Sequence, residues 1–250
     1  MNSEKPRILI TNDDGIHSEG IAALQEAMST IGEIFVVAPE SEQSGASHSL
    51  TLARPLRIRN IDDCHWTVDG TPTDCVTFAL NQILTPQQRP SICVSGINHG
   101  PNLGDDATYS GTVAGAMEST ILGVPGVAVS LDATRSIDFS EAARISREIV
   151  LRALSDGLPD GILLNVNVPK GSPKGIRLTR QGFKSARPLI SEHIDPRGKL
   201  YYWIGEVREG FRAEGGTDFE ALEEGYVSVT PMRADLTDYR ALETLQSWES

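Results

Sequence analysis

The sequence predicts an α/β fold: an open, mostly parallel sheet with helices on both faces, followed by a β-rich C-terminal extension with a protruding hairpin. Two observations carry this. Continuously apolar strand-like runs alternate with helical patterns up to about residue 169, as expected of parallel strands buried on both faces. Beyond residue 170 the alternation stops, and shorter strand-like runs separated by turn residues take over.

In chain order, residues 7–11 (RILIT) read as a strand. Ser18 and Glu19 then open a helical pattern in which Ile21, Leu24, Met28 and Ile31 recur on one face. The run EIFVVAP at 33–39 is a second strand and completes a βαβ unit, whose crossover is expected to be right-handed. SICVSG at 91–96, GVAVSL at 126–131 and ILLNVNVP at 162–169 supply further strands, with helices near 73–84, 110–122 and 139–155. After residue 170 come IRLTRQG, a hairpin turning at DPRG (195–198) into KLYYWIGEV, the strand YVSVTPM at 226–232 and a terminal helix near 238–248. The expected division is a catalytic core over 1–170 and an extension over 171–250.

Composition narrows the function classes. A chain of 250 residues with 39% hydrophobic and 22% charged residues buries roughly 70–75% of its unfolded surface and is an ordinary globular composition. The opening MNSEKPRILI lacks a cationic apolar leader, and no apolar run reaches the ~18 residues that cross a bilayer. A cytoplasmic location without membrane association is therefore expected. Cys64, Cys75 and Cys93 are odd in number and lack CxxC spacing, which argues against a disulfide framework and against a thiolate metal site. A net charge of −12 with pI near 4.9 offers no basic stripe for long nucleic acid. A small phosphate ester would need a cation between it and the protein's carboxylates.

Three loops at strand exits carry the candidate chemistry, because ligands of open parallel sheets bind outside the carboxyl ends of the strands. The first is NDDG, with adjacent carboxylates at Asp13 and Asp14; it reads either as a solvated turn or as a cation site. The second is SEQSGASHS at 41–49, and the third is GINHGPNLGDD at 96–106. Together they offer an all-oxygen set of carboxylates, a serine hydroxyl and an asparagine carbonyl, which suits a hard ion such as Mg2+ or Mn2+. In TYSGTVAGAMES, residues Ser110, Gly111 and Thr112 open a helix of small residues; Ser110 is a plain N-cap, or the helix start cradles phosphate. VDGTPTDCVTFAL reads as structural, with Thr73 able to cap the helix that follows.

In this order and spacing, ILITNDDGI, SGASHSLT, DGTPTDCV, SGINHGPNLGDDATYSGTVAGAMES and GVPGVAVS resemble the survival protein SurE family of metal-dependent nucleotidases. The resemblance covers residues 7–170 strongly and the remainder diffusely. Carried over residue by residue, it implies one divalent ion per subunit on Asp13, Asp14, Ser44 and Asn98, and phosphate contacts from Ser110, Gly111 and Thr112. It further implies a Rossmann-like core, hydrolysis of nucleoside 5'- and 3'-monophosphates, short polyphosphate as a further substrate of some members, and C-terminal elements exchanged between subunits. His99 within GINHGPN and Thr73 within GTPTDCV depart from the commoner pattern without removing a ligand.

Within that resemblance, Asp13 and Asp14 are the catalytic carboxylates, and His17, His48 and His99 are candidates for the acid that protonates the leaving group. Two other readings remain open. A haloacid-dehalogenase-like phosphatase would use an Asp nucleophile but needs an acid two residues later, where Gly15 stands; a nucleotide or metal sensor would bind without turnover. The aromatic arm Tyr201, Tyr202 and Trp203 and the terminal face of Leu242, Leu245 and Trp248 lead to the expectation of a homodimer or homotetramer.

Overall fold

Residues 5–132, 138–184, 189–205, 210–212 and 214–249 are described by the computed structural model of the chain. Alternation of side chains builds the sheet from its first strand. In β1 (Arg7–Thr11) Ile8 and Ile10 enter one core while Leu9 enters the other, because successive residues of a strand face opposite sides. Strand β2 (Glu33–Pro39) repeats this, with Val36 and Ala38 on one face and Phe35 and Val37 on the other.

The strands that follow are β3 (Ile58–Asp62), β4 (His65–Val68), β5 (Ile92–His99), β6 (Gly126–Leu131), β7 (Ile162–Val168), β8 (Ile176–Leu178), β9 (Leu189–Ile194), β10 (Leu200–Gly205) and β11 (Val227–Arg233). Among the described residues they form a nine-stranded sheet in the order β3-β4-β2-β1-β5-β6-β7-β11-β8, and a separate two-stranded sheet of β9 and β10. Strand β1 lies parallel between β2 and β5. The chain therefore builds outward from β1 in one direction, returns, and builds in the other from β5. That reversal is the topological switch point at which such sheets bind ligands.

Helices α1 (Glu19–Ser29) and α4 (Ser140–Asp156) bury Ile21, Leu24, Met28, Ile145 and Ile149 in the larger core on one face. Helix α2 (Pro72–Phe78), continued by a π-turn over Ala79–Ile83, buries Cys75, Val76 and Ala79 against the opposite face. There α3 (Gly111–Ile121) packs Val113 and Ala116 beside Ala128 and Leu163. Ser18 caps α1 and Ser110 caps α3 through their hydroxyls. The α2 cap is Thr71, not Thr73: Pro72 occupies the first turn, and Thr71 and Asp74 form a reciprocal capping box.

Two features depart from a simple parallel sheet. Residues 58–68 add an antiparallel β-hairpin at one edge, with β4 parallel to β2. At the other side β11 runs antiparallel to β7 and carries β8 parallel to itself, so residues beyond 170 extend the same sheet. Short α5 (Asp218–Glu223) buries Ala221 and Leu222 just before β11. The hairpin predicted around residues 195–198 is β9-β10, and it leaves Ile190, Tyr202, Trp203 and Ile204 exposed. Helix α6 (Tyr239–Leu245) likewise buries none of its residues, and Leu242, Leu245 and Trp248 are exposed. No helix among the described residues is long and apolar enough to cross a membrane.

Candidate metal and phosphate site at the strand exits

The NDDG turn is buried rather than solvated. Asn12 is fully buried and its side-chain amide donates to the Gly15 carbonyl at 2.9 Å and to Ser18 Oγ at 2.8 Å, locking the turn to the start of α1. Gly15 has φ +94°, a left-handed conformation that costs glycine little. Asp13 is only 5% exposed. Burial pushes its carboxyl up to about 6, with Thr112 opposing the shift and the neighbouring Asp14 adding to it. Asp14 is also pushed up, chiefly by burial, while the backbone N–H of His99 holds it down.

The three loops meet through the main chain. Gln43 N–H donates to the Asp13 carbonyl at 2.7 Å, and Ile16 N–H to the Pro39 carbonyl at 3.0 Å, which joins the β1 exit to the β2 exit. The β5 exit stands beside the first loop, where the His99 N–H lowers the Asp14 carboxyl. The start of α3 arrives through Thr112, whose hydroxyl donates to Asp13 Oδ1. Ser47, at φ +55°, donates its N–H to the Tyr109 carbonyl at 3.1 Å and its hydroxyl to the Thr108 carbonyl at 2.7 Å, pinning the second loop to the residues before α3.

Asp13, Asp14 and the Ser110–Thr112 turn are thus brought together, with Asn98 at the same strand exit as His99. The Asn98 side-chain amide donates to the Gly100 carbonyl at 2.8 Å, and its carbonyl oxygen has no hydrogen-bond partner among the described residues. Ser44 is exposed and donates its hydroxyl to Glu42 Oε1 at 2.6 Å; no hydrogen bond among the described residues ties its side chain to either aspartate. Of the histidines, His17 is exposed, and His48 is held by Glu118, a buried acid of α3, at 2.8 Å.

The donor chemistry fits a hard dication. Two adjacent carboxylates, both made costlier to ionise by burial, with hydroxyl and carboxamide oxygens beside them, are a poor arrangement for isolated charges and a good one for Mg2+ or Mn2+. Asp13 also lies against the N-terminus of α3, where unpaired backbone N–H groups favour an anion.

Several supporting residues escaped the sequence reading. Asn102 ties the third loop to the sheet: its N–H donates to Asn167 Oδ1 at 2.7 Å, its amide donates to Ser130 Oγ at 2.8 Å, and its carbonyl accepts from Asn165 at 2.8 Å. Asp218 accepts from the N–H groups of Gly104, Gly182 and Phe219, so the C-terminal part buttresses the same loop. The signal for the first was two asparagines inside the otherwise apolar run ILLNVNV; for Asp218 the sequence held none.

Fold and loops together define a class: an open α/β protein with an acidic, oxygen-donor centre at the switch point of its sheet. The family model of the survival protein SurE matches residues 8–188, and this chain belongs to that family. It is 48% identical to the 5'-nucleotidase SurE of Pelobacter propionicus over 96% of this chain and 98% of that protein. It is 49% identical to the 5'-nucleotidase SurE of Myxococcus xanthus over 100% of this chain and 95% of that protein. Its fold is similar to the crystal structure of the SurE protein from Aquifex aeolicus, with a TM-score of 0.87 at 46% identity, covering 98% of this chain and 100% of that one.

Proposed function

We propose that this chain is a metal-dependent phosphomonoesterase that hydrolyses nucleoside 5'-monophosphates, and with them 3'-monophosphates, to nucleoside and phosphate. The observation that carries the reading is the buried Asp13 carboxylate, joined to Thr112 at the phosphate-type start of α3 and set beside Asp14. Near-full-length relatives named as 5'-nucleotidases support the substrate class.

Asp13 and Asp14 would hold one divalent ion, with Ser44 and Asn98 as neutral ligands. When bound, a dication of the Mg2+ or Mn2+ type screens phosphate oxygens and lowers the pKa of coordinated water. Thr112 orients Asp13 through its hydroxyl. The backbone N–H groups of Gly111 and Thr112 face the phosphate, and Ser110 keeps the helix start in place by capping Val113. Such preorganised donors act where charge develops in the transition state. His99 stands next to Asn98 at the β5 exit and is the first histidine to test as leaving-group acid; His48 is committed to Glu118.

Gly15, two residues after Asp13, leaves the haloacid-dehalogenase-like mechanism without its acid. The exposed aromatic arm of β10 and the exposed apolar face of α6 are the basis for proposing a homodimer or homotetramer, since an isolated hairpin is marginal in water. The division near residue 170 is proposed as one of role: chemistry before it, assembly after it. A cytoplasmic location, short polyphosphate as a further substrate and indifference to long nucleic acid complete the proposal.

A panel of nucleoside monophosphates, sugar phosphates and short polyphosphate, assayed with Mg2+, Mn2+, Co2+ or chelator, tests it. Chelator-sensitive phosphate release favouring nucleoside monophosphates is expected. Equal turnover of every ester, or turnover indifferent to chelator, would overturn the substrate or the cofactor assignment respectively.

A further inference from the structure

A second group of metal-ligating side chains lies away from the strand exits, at the tip of the β3-β4 hairpin. A break in register between Asn60 and Asp62 sets Asp62 directly opposite His65, with Asp63 and Cys64 forming the turn. This brings three chemically different donors together. His65 Nδ1 is 2.7 Å from Asp62 Oδ1 and 3.3 Å from Cys64 Sγ, and Cys64 Sγ is 3.5 Å from Asp62 Oδ1. We propose that Asp62, Cys64 and His65 form a second metal site, selective for a borderline divalent ion of the Zn2+ class and leaving one position open to water.

The distances fit the ion. A tetrahedral centre about 2.0 Å from nitrogen and oxygen and about 2.3 Å from sulfur sets its ligand atoms roughly 3.3–3.6 Å apart. Both sulfur distances already fall there, and only the Asp62–His65 pair has to open, by roughly half an ångström on that geometry. The turn itself is fixed. The Cys64 carbonyl accepts from Val36 N–H at 2.8 Å, His65 pairs in register with Val36, and the Cys64 side chain packs on the core beneath α2.

The donor set differs in kind from the all-oxygen set at the strand exits. Thiolate and imidazole select Zn2+, Co2+ or Cu2+ over Mg2+, whereas carboxylate, hydroxyl and carboxamide do the reverse. A bound cation would take the place of the Cys64 thiol proton. The lack of CxxC spacing argues only against sites built from several thiolates; a site with one cysteine leaves no such trace.

Co2+ titration of the full chain provides the test, because a thiolate bound to Co2+ gives a sulfur-to-metal charge-transfer absorption. Cys75 and Cys93 are fully buried and Cys64 is not, so this signal reports Cys64. The expected results are a charge-transfer band that saturates at one equivalent, is displaced by Zn2+, survives in Asp13→Asn, weakens in His65→Gln and vanishes in Cys64→Ser. Cys64→Ser should lower Zn2+ affinity at this site about 100-fold or more, as loss of a direct ligand exceeds the effect of losing a supporting contact, with phosphate release unchanged. Absence of the band, or its persistence in Cys64→Ser, overturns the second site and leaves the nucleotidase reading untouched.

Discussion

Thr112 donates its hydroxyl to Asp13 Oδ1, a bond that spans 99 positions of sequence and joins the first strand exit to the start of α3. It is possible only because residue 111 is glycine: a Cβ there would stand 2.7 Å from Asp13 Cβ. Side chain and helix start therefore form one unit.

Gly111→Ala should push Asp13 out of place without disturbing the core of the sheet. Turnover at saturating metal is expected to fall at least ~10-fold and the metal needed for half-maximal rate to rise, since displacements of about 1 Å can cost ~100-fold in rate. Metal titration of phosphate release measures both. An alanine variant with unchanged metal requirement would separate Asp13 from the helix start. Thr112→Val, which keeps the shape but removes the hydroxyl, should produce a smaller change in the same direction.

Asp13 also sets a pH dependence in the metal-free protein. Its folded-state value of about 6 lies above the ordinary 3.8, so the folded chain binds that proton more tightly than the unfolded one. Its contribution is most favourable below about pH 4 and is lost as pH rises through about 6, a change on the order of 3 kcal/mol. In chelator, the melting temperature of Asp13→Asn should match the parent near pH 4 and exceed it near pH 7. Mn2+ at pH 7 should raise the parent and leave the variant little changed. A constant difference across this range would contradict the buried ionisable state of Asp13.

Much of the architecture is legible in the sequence. RILIT, EIFVVAP, GVAVSL and ILLNVNV are each β-strands, because strands buried on both faces read as short runs that are mostly apolar. Strand β3 is hidden for the opposite reason: IRNID is an edge strand with four of its five residues exposed, so its pattern carries no apolar face. The direction of β11 is a non-local property. Its Pro231 is tolerated because β8 pairs only with Val227–Val229 and ends before it, leaving that flank free of ladder bonds. Asp13 and Asp14 stand out as adjacent acids after an apolar run, whereas Asn102 and Asp218 act through groups distant in sequence, and Asn12 holds the turn from inside it.

Asp218 supplies a stability prediction at a distance from the carboxylate pair. Asp218→Ala removes the acceptor for Gly104, Gly182 and Phe219 N–H, leaving buried donors unpaired. That should destabilise the fold on the order of 3 kcal/mol and lower the melting temperature by roughly 6–12 °C. Asp218→Asn, which retains one acceptor oxygen, should lose less. Equal melting temperatures for Asp218→Ala and the parent would show that the third loop does not depend on this carboxylate.

The exposed faces of β10 and α6 make assembly measurable. Light scattering at micromolar protein should report a mass of two or four chains, and removing residues 236–250 should lower both that mass and the melting temperature. A single-chain mass for the intact protein across that range would contradict the assignment of Tyr202, Trp203, Leu242 and Trp248 to an interface between copies.

The most direct test of the central claim is phosphate release from a nucleoside 5'-monophosphate by chelator-stripped protein, before and after addition of Mg2+ or Mn2+, for the parent, Asp13→Asn and Asp14→Asn. The parent should be inactive when stripped and recover on addition of metal. Each variant should remain at least ~100-fold slower at saturating metal, because an anionic ligand is lost from the ion that serves both the water and the phosphate. Near-parental turnover in either variant would contradict the assignment of these two carboxylates.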